Sequence, residues 1–161
     1  MARLLSNQLK TLLVMEDMLD NPMNVLRESC QVVQSFHYEA RRKRNGNGDI
    51  YGPAESVLLD FTLRLTSAQQ GRVFYAEMAR PSHFPCSFLF NASFSENGRL
   101  CDYEDGLMVN GYVVDLREEF ESAPESDGAA EQILLHVKML VRNMTVLGMD
   151  GQNHYRMDFI R

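Results

Sequence analysis

Between residues 57 and 65 the chain places Val57, Leu59, Phe61, Leu63 and Leu65 on one side and the polar Asp60, Thr62 and Arg64 on the other. A period of two sends successive side chains to opposite faces of an extended backbone, so this segment predicts a half-buried β-strand. The pattern recurs with Cys86, Phe88, Phe90, Ala92 and Phe94, and again with Ile133, Leu135, Val137, Met139 and Val141. The second run leads into Glu96-Asn97-Gly98-Arg99, where Asn-Gly predicts a hairpin turn. The third carries Leu134 and Leu140 on its nominally polar side with His136, Lys138 and Arg142, which predicts a strand whose second face also needs cover, from a helix or a neighbouring subunit. Phe61, Leu63, Phe88, Phe90, Val137 and Met139 are the expected core.

Weaker strand patterns run over 32–39, 100–104 and 108–117, and from 144 or 155 onward, each rich in β-branched or aromatic residues and bounded by Gly, Asn or Asp. Residues 66–78 open with hydroxyl side chains and lack alternation, which predicts one short helix stopped before Pro81. The first 25 residues read two ways: Leu5, Leu9, Leu12 and Leu19 fit a helical stripe, while Thr11 to Met15 would serve as a short edge strand. Asn21-Pro22 ends either one. Two segments read as long loops and hence as contact surfaces: 40–56, with Arg41-Arg42-Lys43-Arg44 before Asn45-Gly46-Asn47-Gly48, and 122–130, with Pro124 and Gly128 among acids.

A length of 161 residues, at roughly 150 per domain, gives a single domain over 1–161. With 45% hydrophobic residues it can build a core of its own. Sixteen Lys plus Arg against 22 Asp plus Glu leave a net charge of -6, which disfavours general binding to nucleic acid or anionic lipid. The longest apolar runs fall far short of the ~20 residues that span a bilayer, and Leu4-Leu5 gives way to polar residues before a secretory apolar segment can form. Cys30, Cys86 and Cys101 are odd in number and lack CxxC spacing, so they read as reduced, buried or half-buried thiols of a cytosolic chain.

The chemistry-bearing residues are scattered. His37, His83, His136 and His154 stand singly, without a second ligand two or four residues on, and predict neither a metal site nor a nucleophilic one. Asp102-Tyr103-Glu104-Asp105-Gly106 lacks the ligand series of a calcium loop and reads as a solvated turn. Gly46-Asn47-Gly48 has no phosphate-binding context, and the sequons at Asn91 and Asn143 carry no chemistry without a secretory signal. No cofactor and no enzymatic activity are expected. The basic tetrad Arg41 to Arg44 sits on a net-acidic molecule, so a second copy of the chain offers it complementary surface, which points to self-assembly.

The order of elements then resembles a known family. Val33-Gln34-Ser35-Phe36-His37-Tyr38-Glu39, a long Gly-rich loop, Val57-Leu58-Leu59-Asp60-Phe61-Thr62-Leu63 and one helix resemble the Hcp (TssD) family, tube proteins of the bacterial type VI secretion system, in its Bacteroidetes-type branch. Gly98 to Val109, with Glu104-Asp105, is similar to that branch's charged strand; Gly111 to Phe120 resembles the strand that follows, and Ile133 to Leu147 the late strand closing the barrel. The likeness covers about residues 10–148 and leaves 1–9 as an N-terminal extension. It implies a mainly β fold: a small antiparallel β-barrel flanked by one short α-helix, assembling into a hexameric ring whose rings stack into a tube. It also implies contractile sheath, spike and effector proteins as partners, and export by the contractile machine from the cytoplasm without a signal peptide. The family's extended loop, which engages the neighbouring ring, matches 40–56 and marks Arg41, Arg42, Lys43 and Arg44 as the inter-ring contact. A phage-tail-like tube or tail-terminator protein is the nearest alternative, and a monomeric barrel binding a small apolar ligand is one of a different class.

Overall fold

The computed structural model describes residues 10–15, 30–44, 46–48, 50–55, 57–65, 67–80, 84–121, 132–147 and 153–159. In chain order the elements are β1 (Lys10–Met15), β2 (Cys30–Tyr38), β3 (Arg42–Arg44), β4 (Ile50–Ala54), β5 (Val57–Leu65), α1 (Arg72–Ala79), β6 (Phe84–Phe94), β7 (Leu100–Asp102), β8 (Asp105–Glu121), β9 (Gln132–Leu147) and β10 (Asn153–Asp158). The main sheet has the order β1-β2-β5-β9-β8-β6-β7, and an additional pairing of β1 with β6 closes it into an antiparallel barrel. Closure gives β1 a partner on each side, β2 and β6.

The alternation seen in the sequence decides which side chains face the barrel interior. Phe61 pairs with Val137 and Leu63 with Leu135, so the apolar sets of β5 and β9 share one face. Phe36, Phe61, Phe74, Phe84 and Phe88 meet edge-on inside, with ring centroids 4.7 Å apart for Phe36 and Phe88 and 5.1 Å for Phe61 and Phe88. Phe74, fully buried, comes from α1 and meets Phe61 at 5.9 Å, so the helix plugs the barrel with one aromatic side chain. Of the expected core, Phe61, Leu63, Phe88, Val137 and Met139 are buried, and the half-buried Phe90 packs against them. Edge-to-face pairs of this kind add about 0.5–1.5 kcal/mol each beyond their area burial.

Several elements differ in extent from the sequence reading. Residues 10–15 are neither helix nor edge strand, since β1 hydrogen-bonds to β2 on one side and β6 on the other. The segment read as a loop over 40–56 contains the β3–β4 hairpin, with Gly48 at φ +85 in its turn, where a side chain would be strained. β8 runs on to Glu121 and β9 to Leu147, forming one long antiparallel pair. The predicted helix begins as a 3-10 turn over Ala68–Gly71, where the Ser67 N–H donates to Gln70 Oε1 at 3.4 Å, and continues as α1. At Asn97-Gly98 the expected hairpin turn forms: Gly98 N–H donates to Ser95 O at 2.9 Å and Gly98 takes φ +81. Residues 1–9 and the 122–130 loop lie outside the described residues.

A second cluster of Leu89, Ala92, Leu100 and Tyr103 packs β7 and its flank against the other face of β6. Cys86 is buried with its Sγ 3.9 Å from Met139 Sδ, and burial raises its pKa; burial also pushes that of the half-buried Cys30 up to about 11. Both thiols are protonated and unreactive at neutral pH. Cys101 departs from the expectation of buried or half-buried thiols, because next to the buried Leu100 the pleat of β7 turns it outward.

Candidate assembly surface

The basic tetrad lies on the β3–β4 hairpin, which rises from the barrel between β2 and β5. Arg42 pairs with Ala54 and Arg44 with Ile50 across the hairpin, and Glu55 N–H donates to Arg41 O at 2.7 Å, fixing the hairpin root beside the start of β5. Arg41 and Arg42 are exposed. Arg41 Nη2 donates to Glu39 Oε2 at 2.7 Å, and this hydrogen bond, with the guanidinium charge second, holds the Glu39 carboxyl below the usual carboxylate range. His37 Nε2 stands 3.7 Å from Glu39 Oε1.

Below the hairpin root lies an open hollow of about 340 Å³ lined by His37, Glu39, Arg41, Glu55, Leu58 and Asp60. Leu58 is 55% exposed there, at the end of a cross-strand row that its register continues through Leu140 to Tyr112. Sequence reasoning did not single out Leu58; the available signal was a leucine interrupting the polar side of the Val57–Leu65 alternation.

The outer face of β2, β5, β9 and β8 carries polar rows fixed by register: His37, Asp60, Lys138 and Asp115 form one, and Ser35, Thr62, His136 and Arg117 the next. Thr62 Oγ1 and His136 Nδ1 are 2.9 Å apart, and His136 Nε2 lies 3.4 Å from Glu119 Oε1. Lys138 Nζ is 4.0 Å from Asp60 Oδ1. Opposite charges side by side on one sheet face stabilise pairing modestly, by about 0.2–1 kcal/mol per pair. Leu134 stands between Arg64 and Glu119 on this face and is only 6% exposed, so it is covered within the chain rather than by a neighbouring subunit.

The far end of the β8–β9 pair differs in character. Glu118 accepts a hydrogen bond from Tyr75 of α1, which ties the helix to β8 and raises the Tyr75 pKa. Phe120, opposite Ile133, is 66% exposed, and along the chain it stands between Glu119 and Glu121. It too was missed in the sequence, where the signal is one aromatic residue inside an acidic run. Among the described residues no group of three or more His, Cys, Asp and Glu side chains is placed to hold a metal ion. Asp102, Glu104 and Asp105 flank a turn in which Glu104 accepts from Asn91 Nδ2 and the Gly106 N–H donates to Asp105 Oδ1 at 2.9 Å.

No family model and no curated protein matches the sequence. Solved structures do match. An Hcp protein crystal structure aligns with a TM-score of 0.61 and 12% identity over 96% of this chain and 99% of its own. A variant of Hcp1 from E. coli EAEC 042 aligns at 0.60 and 14% over 96% and 99%, and the secreted protein Hcp3 from Pseudomonas aeruginosa at 0.53 and 11% over 96% and 99%. Hcp1 from Flavobacterium johnsoniae aligns at 0.53 and 11% over 92% and 98%. From the barrel closure through the plugging helix to the long β8–β9 pair, the chain has the Hcp fold.

Proposed function

We propose that this chain is a structural subunit of a type VI secretion inner tube, forming hexameric rings that stack and carry effectors. The observation that carries the reading is the match to Hcp structures over nearly the whole of both chains. One feature of the barrel supports it. Aromatic side chains fill the interior where an apolar ligand would sit, which argues against the ligand-binding alternative. In this reading the chain acts by assembly rather than catalysis, its partners are other copies of itself together with spike, sheath and effectors, and it leaves the cell through the contractile machine.

Arg41, Arg42, Lys43 and Arg44 make the contact between rings. Each exposed ion pair contributes only about 0–1 kcal/mol, but a ring presents the same contact at every subunit, and the contacts add once two rings align. Light scattering behind size-exclusion chromatography is expected to give a mass near six times 18.5 kDa, with larger species at low salt. Replacing all four basic residues by glutamine is expected to leave the ring and abolish the larger species. A chain that is monomeric at every concentration and salt would contradict the tube reading, and unchanged stacking of the quadruple variant would contradict the role of the tetrad.

A further inference from the structure

Four Asn-Gly pairs stand in this chain, at 45–46, 47–48, 97–98 and 110–111. Asn is a labile residue, and Gly after it makes it more so: with no Cβ in the way, the glycine nitrogen can approach the carboxamide carbon of the preceding side chain. Asn45 lies outside the described residues, and the fold treats the other three pairs differently. At 110–111 the Asn110 Oδ1 is buried, and Gly111 is pressed so close to β9 that even a Cβ would lie 2.2 Å from Leu140 O. A five-membered ring has no room to close there. At 97–98 the turn is more open, but both reacting groups are held. Gly98 N–H donates to Ser95 O at 2.9 Å, while Asn97 Oδ1 accepts from Arg99 N–H at 3.2 Å and from Ser95 Oγ. Asn47-Gly48 stands at the tip of the β3–β4 hairpin, where residues 46, 47 and 48 are all exposed. A Cβ on Gly46 or Gly48 would meet nothing within 4 Å, and Gly48 takes φ +85. Of the three pairs, this is the one whose Asn has glycine on both sides, so its backbone can swing into the geometry of attack.

We infer that Asn47 is a site of spontaneous deamidation, with water as the only co-reactant. The Gly48 nitrogen gives up its proton and bonds to Asn47 Cγ; the carboxamide C–N bond breaks, and its nitrogen leaves as ammonia. Water then opens the succinimide at one of its two carbonyls and returns the proton to the Gly48 nitrogen, which leaves either aspartate or isoaspartate at position 47. The net change converts one carboxamide and one water into one carboxylate and one ammonium ion, and nothing is oxidised or reduced. The place gives this change its consequence. Residues 41–55 carry Arg41, Arg42, Lys43 and Arg44 against Asp49 and Glu55, a net charge of +2, so one new carboxylate halves it. The attraction of the basic hairpin for an acidic surface therefore weakens as the molecule ages, whatever molecule that surface belongs to.

The test incubates the folded full-length chain at neutral and at mildly alkaline pH and follows each Asn-Gly pair by peptide mapping and mass spectrometry, with fragment spectra separating Asn47 from Asn45. Conversion at Asn47 is expected to run roughly tenfold or more faster than at Asn97 or Asn110. It is expected to quicken at the higher pH, because loss of the amide proton precedes attack. In denaturant the three rates should draw together, since the fold sets the difference between them. Isoelectric focusing gives an independent readout. An acidic band is expected to grow with time in the wild type and to be missing from Asn47→Gln, whose exposed position should leave the circular dichroism melt unchanged. Conversion at Asn47 no faster than at Asn97 or Asn110, or the same acidic band in Asn47→Gln, would overturn the assignment. Neither readout depends on ring formation, so a chain that never forms rings would contradict the tube reading and leave this site to be decided by its own rates.

Discussion

Phe61→Ala is expected to destabilise the chain by about 3–5 kcal/mol, the usual cost of truncating a buried phenylalanine. Phe61 is 2% exposed and meets Phe74 of α1 at 5.9 Å and Phe88 of β6 at 5.1 Å, so it joins the helix to two walls of the barrel. Its removal leaves a void that cannot collapse, because the surrounding strands are held in a closed hydrogen-bonded circuit. Against a total stability of about 5–15 kcal/mol, this is a large fraction. For a chain of this size, each kcal/mol lowers the melting temperature by roughly 2–4 °C, so a fall of about 6–20 °C is expected. Thermal unfolding followed by circular dichroism measures it, and Phe61→Leu should recover much of the loss. A fall of less than about 2 °C would mean that the barrel interior is not packed around this ring.

Gly111→Ala is expected to be as damaging although it adds only one methyl group. The bulge in β8 between Asn110 and Gly111 presses the backbone of Gly111 against β9, and a Cβ there would lie 2.2 Å from Leu140 O and 2.9 Å from Val141 Cα. The obstructing atoms are backbone, so no rotamer change relieves the clash; the β8–β9 ladder itself must open. A loss of about 3 kcal/mol or more follows, at or above the usual range for overpacking. Gly46→Ala in the β3–β4 turn is the control: a Cβ there meets nothing within 4 Å, and the change should stay within about ±0.5 kcal/mol. Chemical denaturation of both variants measures the difference, and equal stabilities would contradict the close approach of β8 and β9.

Particular residues show why the sequence disclosed some of this and concealed the rest. The runs Val57–Leu65 and 133–141 are legible because one face is buried and a one-residue slip would expose it, so period two is enforced along the chain itself. The far part of β8 reads poorly because Glu118, Glu119 and Glu121 stand where the strand extends beyond the barrel and few positions demand apolar residues. β1 is only six residues long, and its closing role depends on β2 and β6, partners that no local pattern can name. The β3–β4 hairpin was concealed by its composition, since a basic run followed by Asn and Gly has no alternation to betray a strand. At the candidate surface the tetrad stood out by charge alone. Leu58 and Phe120 did not, because a single exposed apolar residue is ordinary until the fold shows what lies beside it.

The claim on which the rest depends is that the 18.5 kDa chain closes into rings. Electron microscopy of the purified wild-type chain at low salt tests it most directly. End-on averages with six-fold symmetry around an open centre, and side views of stacked rings, are the expected result. Particles the size of a single chain at every concentration, with no open centre, would contradict it.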